Sequence, residues 1–386
     1  MMKTPTFFFE SILSFLLIST SLLAQPKPRA RDLGIPLDGS PGPWNAITDV
    51  GGIEVGHTTL IEGEGRLRVG DGPIRTGVTV ILPRGKASND PVFAGWFSLN
   101  GNGEMTGTTW IEESGFLEGP IAITNTHSVG TVRDAIIAWQ ASNDFLFQPW
   151  SLPVVAETYD GYLNDINGFH VKAAHVVQAL DQATTGPVAE GNVGGGTGMI
   201  CYTFKGGIGT SSRKLSSESG GYVVGALVQA NFGSRAQLMI TGAPVGREIT
   251  EGIPERSGND GEGSIIIVVA TDAPLLPHQL KRLARRASLG VARTGAISSN
   301  FSGDIFVALS TANTAAAGAE DLARLQMVPN ARLNPIFQAT VEATEEAIIN
   351  ALVAAETMAG IDDHRIIALP HDRLKEVLRK YNRLTE

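Results

Sequence analysis

The chain has 386 residues, 42% of them apolar and 18% charged, enough material for one large or two ordinary hydrophobic cores. A net charge of -9 with no basic stripe argues against nucleic-acid binding and weakly favours cationic ligands. A single cysteine, Cys201, excludes a disulfide framework and a cysteine metal cluster.

Residues 1–24 read as an export signal. Lys3 opens it, "ILSFLLISTSLLA" forms its apolar run and Ala24 is a small residue before a cut. The run is short for a transmembrane helix, and a retained anchor is the alternative to cleavage. A periplasmic or secreted location is therefore expected, with residues 25–386 forming a single catalytic domain and no stable membrane partner. After a Pro-rich lead, strand-like runs alternate with glycine turns: "GVTVILP", "GPIAITN", "LPVVAET", "GYVVGALVQAN" and "GSIIIVVAT". Helical patterns fall between them in "TVRDAIIAWQASN", "FHVKAAHVVQALDQA" and "PHQLKRLARRASLGVART". A longer helix is expected from Asn334–Pro335 to near Gly360, and a last one after Pro370. Strands buried on both faces together with amphipathic helices predict an α/β layered architecture.

Common catalytic signatures are missing: there is no GxSxG elbow, no HExxH and no P-loop. "GNVGGGTG" lacks the Lys-Ser/Thr ending of a phosphate loop, and "ICYTF" after it reads as a strand that buries Cys201. His170 and His175 stand five apart on a predicted helix and share no face, so no metal site is expected.

Ser264 stands out. It divides a Gly/Asp/Asn/Glu linker from the run Ile265–Ile266–Ile267–Val268–Val269. A hydroxyl at the head of a buried strand, after Gly263, suits a chain that is cut just before it. The Ser264 hydroxyl would attack the Gly263 carbonyl and form an ester, and water would release the upstream segment. The new α-amine, with an ordinary pKa near 8, is a conceivable local base. A serine that merely caps a turn is the alternative. In "SSNFSGDIFVALSTAN", Ser302 and Asp304 lie two apart before another strand and so point to one face. A carboxylate orienting a hydroxyl that bonds the nucleophile would be a histidine-free version of the serine-hydrolase relay. An Asx or Ser turn at a strand start would use the same residues.

"ITDVGGIEVGHTTL", "NTHSVGTVRDA", "PVVAETYDGYLND", "GNVGGGTGMICYTFKGGIGTSSR", "LVQANFG" and "SGDIFVALSTAN" occur in that order. With them the chain resembles the self-cleaving serine aminopeptidases, peptidase family S58, which include L-aminopeptidase/D-esterase, D-aminopeptidase and the β-aminopeptidases. The likeness extends to "DDHRIIALPHDRL" and so spans essentially the whole mature chain. It implies a four-layer α-β-β-α sandwich resembling N-terminal nucleophile hydrolases with different connectivity. It also implies cleavage between Gly263 and Ser264 into subunits 25–263 and 264–386, and a homo-oligomer, a tetramer of cut protomers. Ser264 would be the nucleophile, with Ser302 and Asp304 as its relay. Asp304 is shorter than the glutamate of the family pattern, which leaves open contact with Ser302 directly or through water. Asn231 would be an oxyanion donor, Tyr159 would hydrogen-bond near the same centre and Glu157 would hold the substrate's free amine. The alternatives are a strand-end turn for Asn231, a buried hydroxyl for Tyr159 and an arginine partner for Glu157. Asn100, Asn125 and His127 lie in the matched motifs without an assigned role.

No cofactor is implied, and the expected substrates are short peptides or aminoacyl amides and esters. α-L, α-D and β-amino residues are not distinguished. The competing readings are an acyltransferase resembling the ornithine acetyltransferases, whose nucleophile is threonine, and an uncut binding protein.

Overall fold

The computed structural model describes residues 1–2, 27–254 and 263–385. The expected export signal beyond Met2 and the linker residues 255–262 lie outside them. In chain order the polypeptide forms β1 (Glu54–Glu62), β2 (Ile74–Leu82), β3 (Val92–Ser98), α1 (Thr108–Ser114), β4 (Phe116–Leu117), β5 (Ile121–Asn125), α2 (Val129–Ser142), β6 (Val154–Thr158) and α3 (Ala173–Asp181). The hairpin β7 (Ile200–Cys201) and β8 (Phe204–Lys205) precedes β9 (Gly207–Lys214), β10 (Val223–Asn231) and the one-turn α4 (Val245–Glu248). Then come β11 (Ser264–Thr271), α5 (Pro277–Arg293), β12 (Asp304–Ser310), α6 (Asn334–Val353), the small hairpin β13 (Met358–Ala359) and β14 (Arg365–Ile366), and α7 (His371–Lys380). None of the described helices is long and apolar enough to cross a membrane.

Two sheets form the centre, one ordered β1-β2-β5-β6 and the other β4-β3-β12-β11-β10-β9. Three apolar interfaces stack them into four layers. Between the sheets lie Ile266 and Val268 of β11, Val307 and Leu309 of β12, and Ile121 and Ile123 of β5. Alternate residues of the same strands, Ile265, Ile267 and Phe306, turn outward to Leu283 and Ala287 of α5 and Ala343 and Ala347 of α6. On the far side, Val78, Val80 and Val155 pack against Val132 and Ile136 of α2 and Val176 and Leu180 of α3. Both faces of β11 are covered, so all eight of its residues are buried and the stretch from Ile265 to Ala270 is an unbroken apolar run. The expected α-β-β-α sandwich is the fold.

Local expectations fail where polar side chains replace the usual signals. "ICYTF" is a hairpin and not one strand: Tyr202 and Thr203 take φ of 50° and 57°, the left-handed pair of a two-residue turn. Cys201 is buried there all the same, and burial pushes its thiol pKa up. His170 stands before α3 and bonds Asp165 Oδ2 at 2.8 Å. α6 ends at Val353, well before Gly360, because Asn192 takes the Glu356 N–H at 3.1 Å and donates to the Glu356 carbonyl at 2.8 Å. That two-way clamp draws the chain off the helix axis.

Helix and sheet approach closely at Gly209 of β9, where a Cβ would lie 2.0 Å from the Ala347 carbonyl oxygen of α6. Gly209→Ala should therefore destabilise by about 1–3 kcal/mol through overpacking. Gly51→Ala, which would meet nothing within 4 Å, is the control. Urea midpoints of the two variants check this; equal midpoints would mean that β9 and α6 yield without cost.

Candidate active site

Strand pairing brings distant residues together. β10 and β11 are antiparallel with Asn231 opposite Ser264, so β10 ends where β11 begins. β11 and β12 are parallel with Ile265 beside Asp304, so both start at the same edge of the sheet. β6 of the other sheet ends nearby and contributes Glu157, paired in register with Thr124 of β5. Between the strand ends lies a cleft of about 500 Å³, whose lining includes Glu104, Glu157, Tyr159, Asn231, Ser264 and Phe301. Among the described residues the lining contains two glutamates and no lysine or arginine, which suits a cationic ligand.

At the strand heads the Gly303 N–H donates to Ser264 Oγ at 3.0 Å. Ser302 Oγ lies 2.5 Å from Asp304 Oδ1, so the carboxyl reaches it directly despite its shorter side chain. Ser302 Oγ also meets the Gly263 carbonyl oxygen. The relay logic places this hydroxyl on the nucleophile. In the continuous chain it sits instead on the carbonyl of the Gly263–Ser264 peptide, while Ser264 Oγ takes the Gly303 N–H. A hydroxyl carries one hydrogen, so both Ser302 contacts are hydrogen bonds together only if Asp304 brings a proton of its own. Burial raises the Asp304 pKa, which favours that form, with the Ser302 hydrogen bond opposing.

Asn231 is held at both ends of its amide. Its Oδ1 accepts the Ile200 N–H at 2.8 Å, and its Nδ2 donates to the Tyr159 carbonyl at 3.0 Å. One amide hydrogen remains for the cleft. Tyr159 thus meets Asn231 through its backbone, while its ring, 54% exposed, lines the opening. Glu157 is buried and, among the described residues, has no arginine partner: Oε1 accepts the Glu104 N–H at 3.0 Å and Oε2 accepts the Thr126 hydroxyl. Burial raises its pKa, and those two donors pull it back toward the charged form.

Ser264, Asn231, Glu157, Tyr159 and Gly263 all line this cleft, with Ser302 and Asp304 buried immediately behind. Asn100, Asn125 and His127 do not line it. Asn100 donates to the Ser298 and Ser299 carbonyls, Asn125 bonds Thr76, and His127 stacks on Phe169. Three contributors escape sequence reasoning: the Gly303 and Glu104 N–H groups, which have no side-chain signature, and Thr126, whose motif drew notice only through its neighbours. Among the described residues no group of three or more His, Cys, Asp or Glu could hold a metal.

The sequence model of peptidase family S58 matches residues 45–366. The chain belongs to this family. It is 54% identical to β-peptidyl aminopeptidase BapA of Sphingosinicella microcystinivorans, over 97% of this chain and 98% of that protein. Identity to the BapA of Sphingosinicella xenopeptidilytica is 48%, over 95% of each. Among solved structures, L-aminopeptidase D-Ala-esterase/amidase from Ochrobactrum anthropi, a prototype serine aminopeptidase with a variant of the Ntn hydrolase fold, matches with a TM-score of 0.87. Identity there is 51%, and the match covers 93% of this chain and 100% of that one. A Burkholderia sp. β-aminopeptidase matches with a TM-score of 0.85 at 52% identity, covering 92% and 99%. As an S58 member the chain is a hydrolase, a serine-type aminopeptidase.

Gly303 must approach closely, since a Cβ there would lie 2.4 Å from the Asn102 carbonyl oxygen. Gly303→Ala should push its N–H off Ser264 Oγ and lower kcat about tenfold or more, the worth of one hydrogen bond at the reacting oxygen. Turnover of an aminoacyl p-nitroanilide, with a thermal midpoint alongside, checks this. Unchanged kcat would mean that the Gly303 N–H does not serve the serine.

Proposed function

We propose that this S58 member is an exported, self-processed aminopeptidase that removes N-terminal β-amino residues from short peptides and aminoacyl amides. The observation that carries self-processing is the placement of Ser302 Oγ on the Gly263 carbonyl oxygen, with Ser264 next in the chain. A hydroxyl there polarises the carbonyl that Ser264 Oγ would attack. Attack breaks the Gly263–Ser264 C–N bond and forms an ester, and the serine nitrogen takes up the proton. Water then hydrolyses the ester, leaving a Gly263 carboxylate and a free Ser264 α-amine.

In the cut enzyme the same Oγ attacks the substrate carbonyl and gives its proton to the Ser302–Asp304 pair, which passes it to the leaving amine as the C–N bond breaks. The spare Asn231 Nδ2 hydrogen stabilises the oxyanion, and the resulting ester is hydrolysed. Glu157 binds the substrate ammonium through charge-assisted hydrogen bonds. Preference for β-amino residues is supported by the two β-peptidyl aminopeptidases at 54% and 48% identity. Export is supported by the apolar run within residues 1–24. Assembly of cut protomers into a homo-oligomer rests on the family resemblance. Serine instead of threonine at 264 favours hydrolysis over the acyltransferase reading. A panel of p-nitroanilides carrying L, D and β-homo residues tests the specificity, and faster turnover of the L residues would refute the β preference.

Intact mass should show two chains, one beginning at Ser264, whereas Ser264→Ala should stay whole. An uncut wild type that still turns over substrate would sink the mechanism. Asp304→Asn removes the base and should lower kcat by about 10²–10⁴-fold. Its self-cleavage should suffer less, because the amide can still donate to Ser302 Oγ; equal loss in both steps would refute the division.

For Glu157→Gln a split phenotype is expected: normal maturation, since the scissile bond presents no free amine, but reduced kcat/KM on amino-terminal substrates. The raised Glu157 pKa gives the sign of the pH effect. Capture of an ammonium needs the carboxylate, so wild-type kcat/KM should fall as pH drops through that pKa, and the variant should lack this limb. Equal damage to maturation would move Glu157 out of substrate binding.

A further inference from the structure

Lys205 is fully buried in β8, and among the described residues no carboxylate pairs with it. Its Nζ donates to backbone carbonyls instead: Met199 at 2.8 Å, Gly206 at 2.9 Å and, more loosely, Gly196 at 3.4 Å. A buried ammonium without a counter-ion is costly. Burial accordingly lowers its pKa to about 7, and the amine donates in either form. Methionine would fill similar space without that cost, so the carbonyl contacts need an explanation.

The Met199 carbonyl and the Ile200 N–H belong to one planar peptide unit. Lys205 holds the oxygen side of that plane, and the nitrogen side donates to Asn231 Oδ1 at 2.8 Å. With Oδ1 committed, the Asn231 Nδ2 must face the Tyr159 carbonyl and the cleft. We propose that Lys205 is a positioning residue for the aminopeptidase reaction, fixing the Met199–Ile200 peptide that sets the amide orientation of Asn231. Donation to the carbonyl also polarises the peptide and strengthens the bond its N–H makes. The lysine touches no substrate and acts only through that peptide.

The proposal rests on the reading of Asn231 as oxyanion donor, and a double-mutant cycle separates the two. Lys205→Met, Asn231→Ala and the double variant are assayed as the two-chain enzyme for kcat and KM, with urea midpoints recorded. Because Ser302 and not Asn231 meets the Gly263 carbonyl, all three should mature. Asn231→Ala should lose about 10²–10³-fold in kcat, as expected for one oxyanion donor. Lys205→Met alone should lower kcat at least about tenfold with little change in KM, but add less than about twofold in the Asn231→Ala background, the non-additivity of residues acting as a unit. Equal losses in both backgrounds, or an unchanged kcat, would overturn the role of Lys205. So would failure of Lys205→Met to mature while Asn231→Ala matures. Full activity of Asn231→Ala, or its failure to mature, would overturn the oxyanion reading itself. If Lys205→Met is insoluble, Lys205→Leu, which also removes the donor, replaces it in the cycle. Insolubility of both would overturn the proposal in favour of a lysine needed only for folding.

Discussion

The parallel pairing of β11 with β12, Ile265 beside Asp304, is the constraint on which the site depends. Parallel neighbours must start at the same sheet edge, which requires the crossover through α5. Once that register is set, residues 302–304 arrive beside Ser264 without any further search. The antiparallel pairing on the other side ends β10 there too, with Asn231 opposite Ser264. Space is so short that a Cβ on Gly263 would lie 2.1 Å from the Asn231 carbonyl oxygen, so only glycine fits before the serine. The glycine that leaves the Gly263 carbonyl open to attack is the one the packing demands.

The two sheets contribute different chemistry. Ser264, Ser302, Asp304 and Asn231 belong to the six-stranded sheet or the loop entering it, whereas Glu157 ends a strand of the four-stranded sheet. The apolar layer between the sheets therefore sets the distance from the Ser264 hydroxyl to the Glu157 carboxylate. Glu157 is poised: burial favours its neutral form, while Thr126 and the Glu104 N–H favour the charged one. In its proposed role, an arriving ammonium would tip that balance toward the anion, so substrate charge and carboxylate charge would appear together in the cleft.

Much of this was legible because covering a sheet on both faces writes an unbroken apolar run. β11 announces itself in that way, and β2, β5, β6 and β10 do so through shorter apolar stretches. β9 does not. Its "GIGTSSRK" is small and polar, yet Thr210, Ser211 and Ser212 are buried by bonds to the Ala226 carbonyl, the Ala343 carbonyl and Asp49. Such partners lie more than 15 residues away, beyond any local pattern. "ICYTF" misled because tyrosine and threonine are not the residues that ordinarily supply a left-handed turn. At the site, side chains with one obvious chemistry, such as Ser264 and Asp304, could be read in advance. Backbone donors could not, because an N–H is present at almost every position and only geometry selects one. Tyr159 shows this well: its phenol drew attention, and its carbonyl is what accepts from Asn231 Nδ2.

Ser302 joins the continuous chain to the proposed cut one. Its single hydrogen faces two acceptors, the Gly263 oxygen and Asp304 Oδ1. While the chain is whole, a proton on Asp304 would resolve the conflict: the acid would donate to Ser302, and Ser302 to the Gly263 carbonyl. In the proposed self-cleavage, departure of the Gly263 carboxyl would remove that acceptor. The Ser302 hydrogen would then be left to Asp304, which accepts it best as an anion, and the pair would change from a chain of donors into a proton acceptor. Cutting one peptide bond would thus both expose the nucleophile and reverse the direction in which its neighbours pass a proton. Direct contact between Asp304 and Ser302 matters for this reason: an intervening water, with its own two hydrogens, would satisfy both acceptors and uncouple the carboxyl from the cleavage.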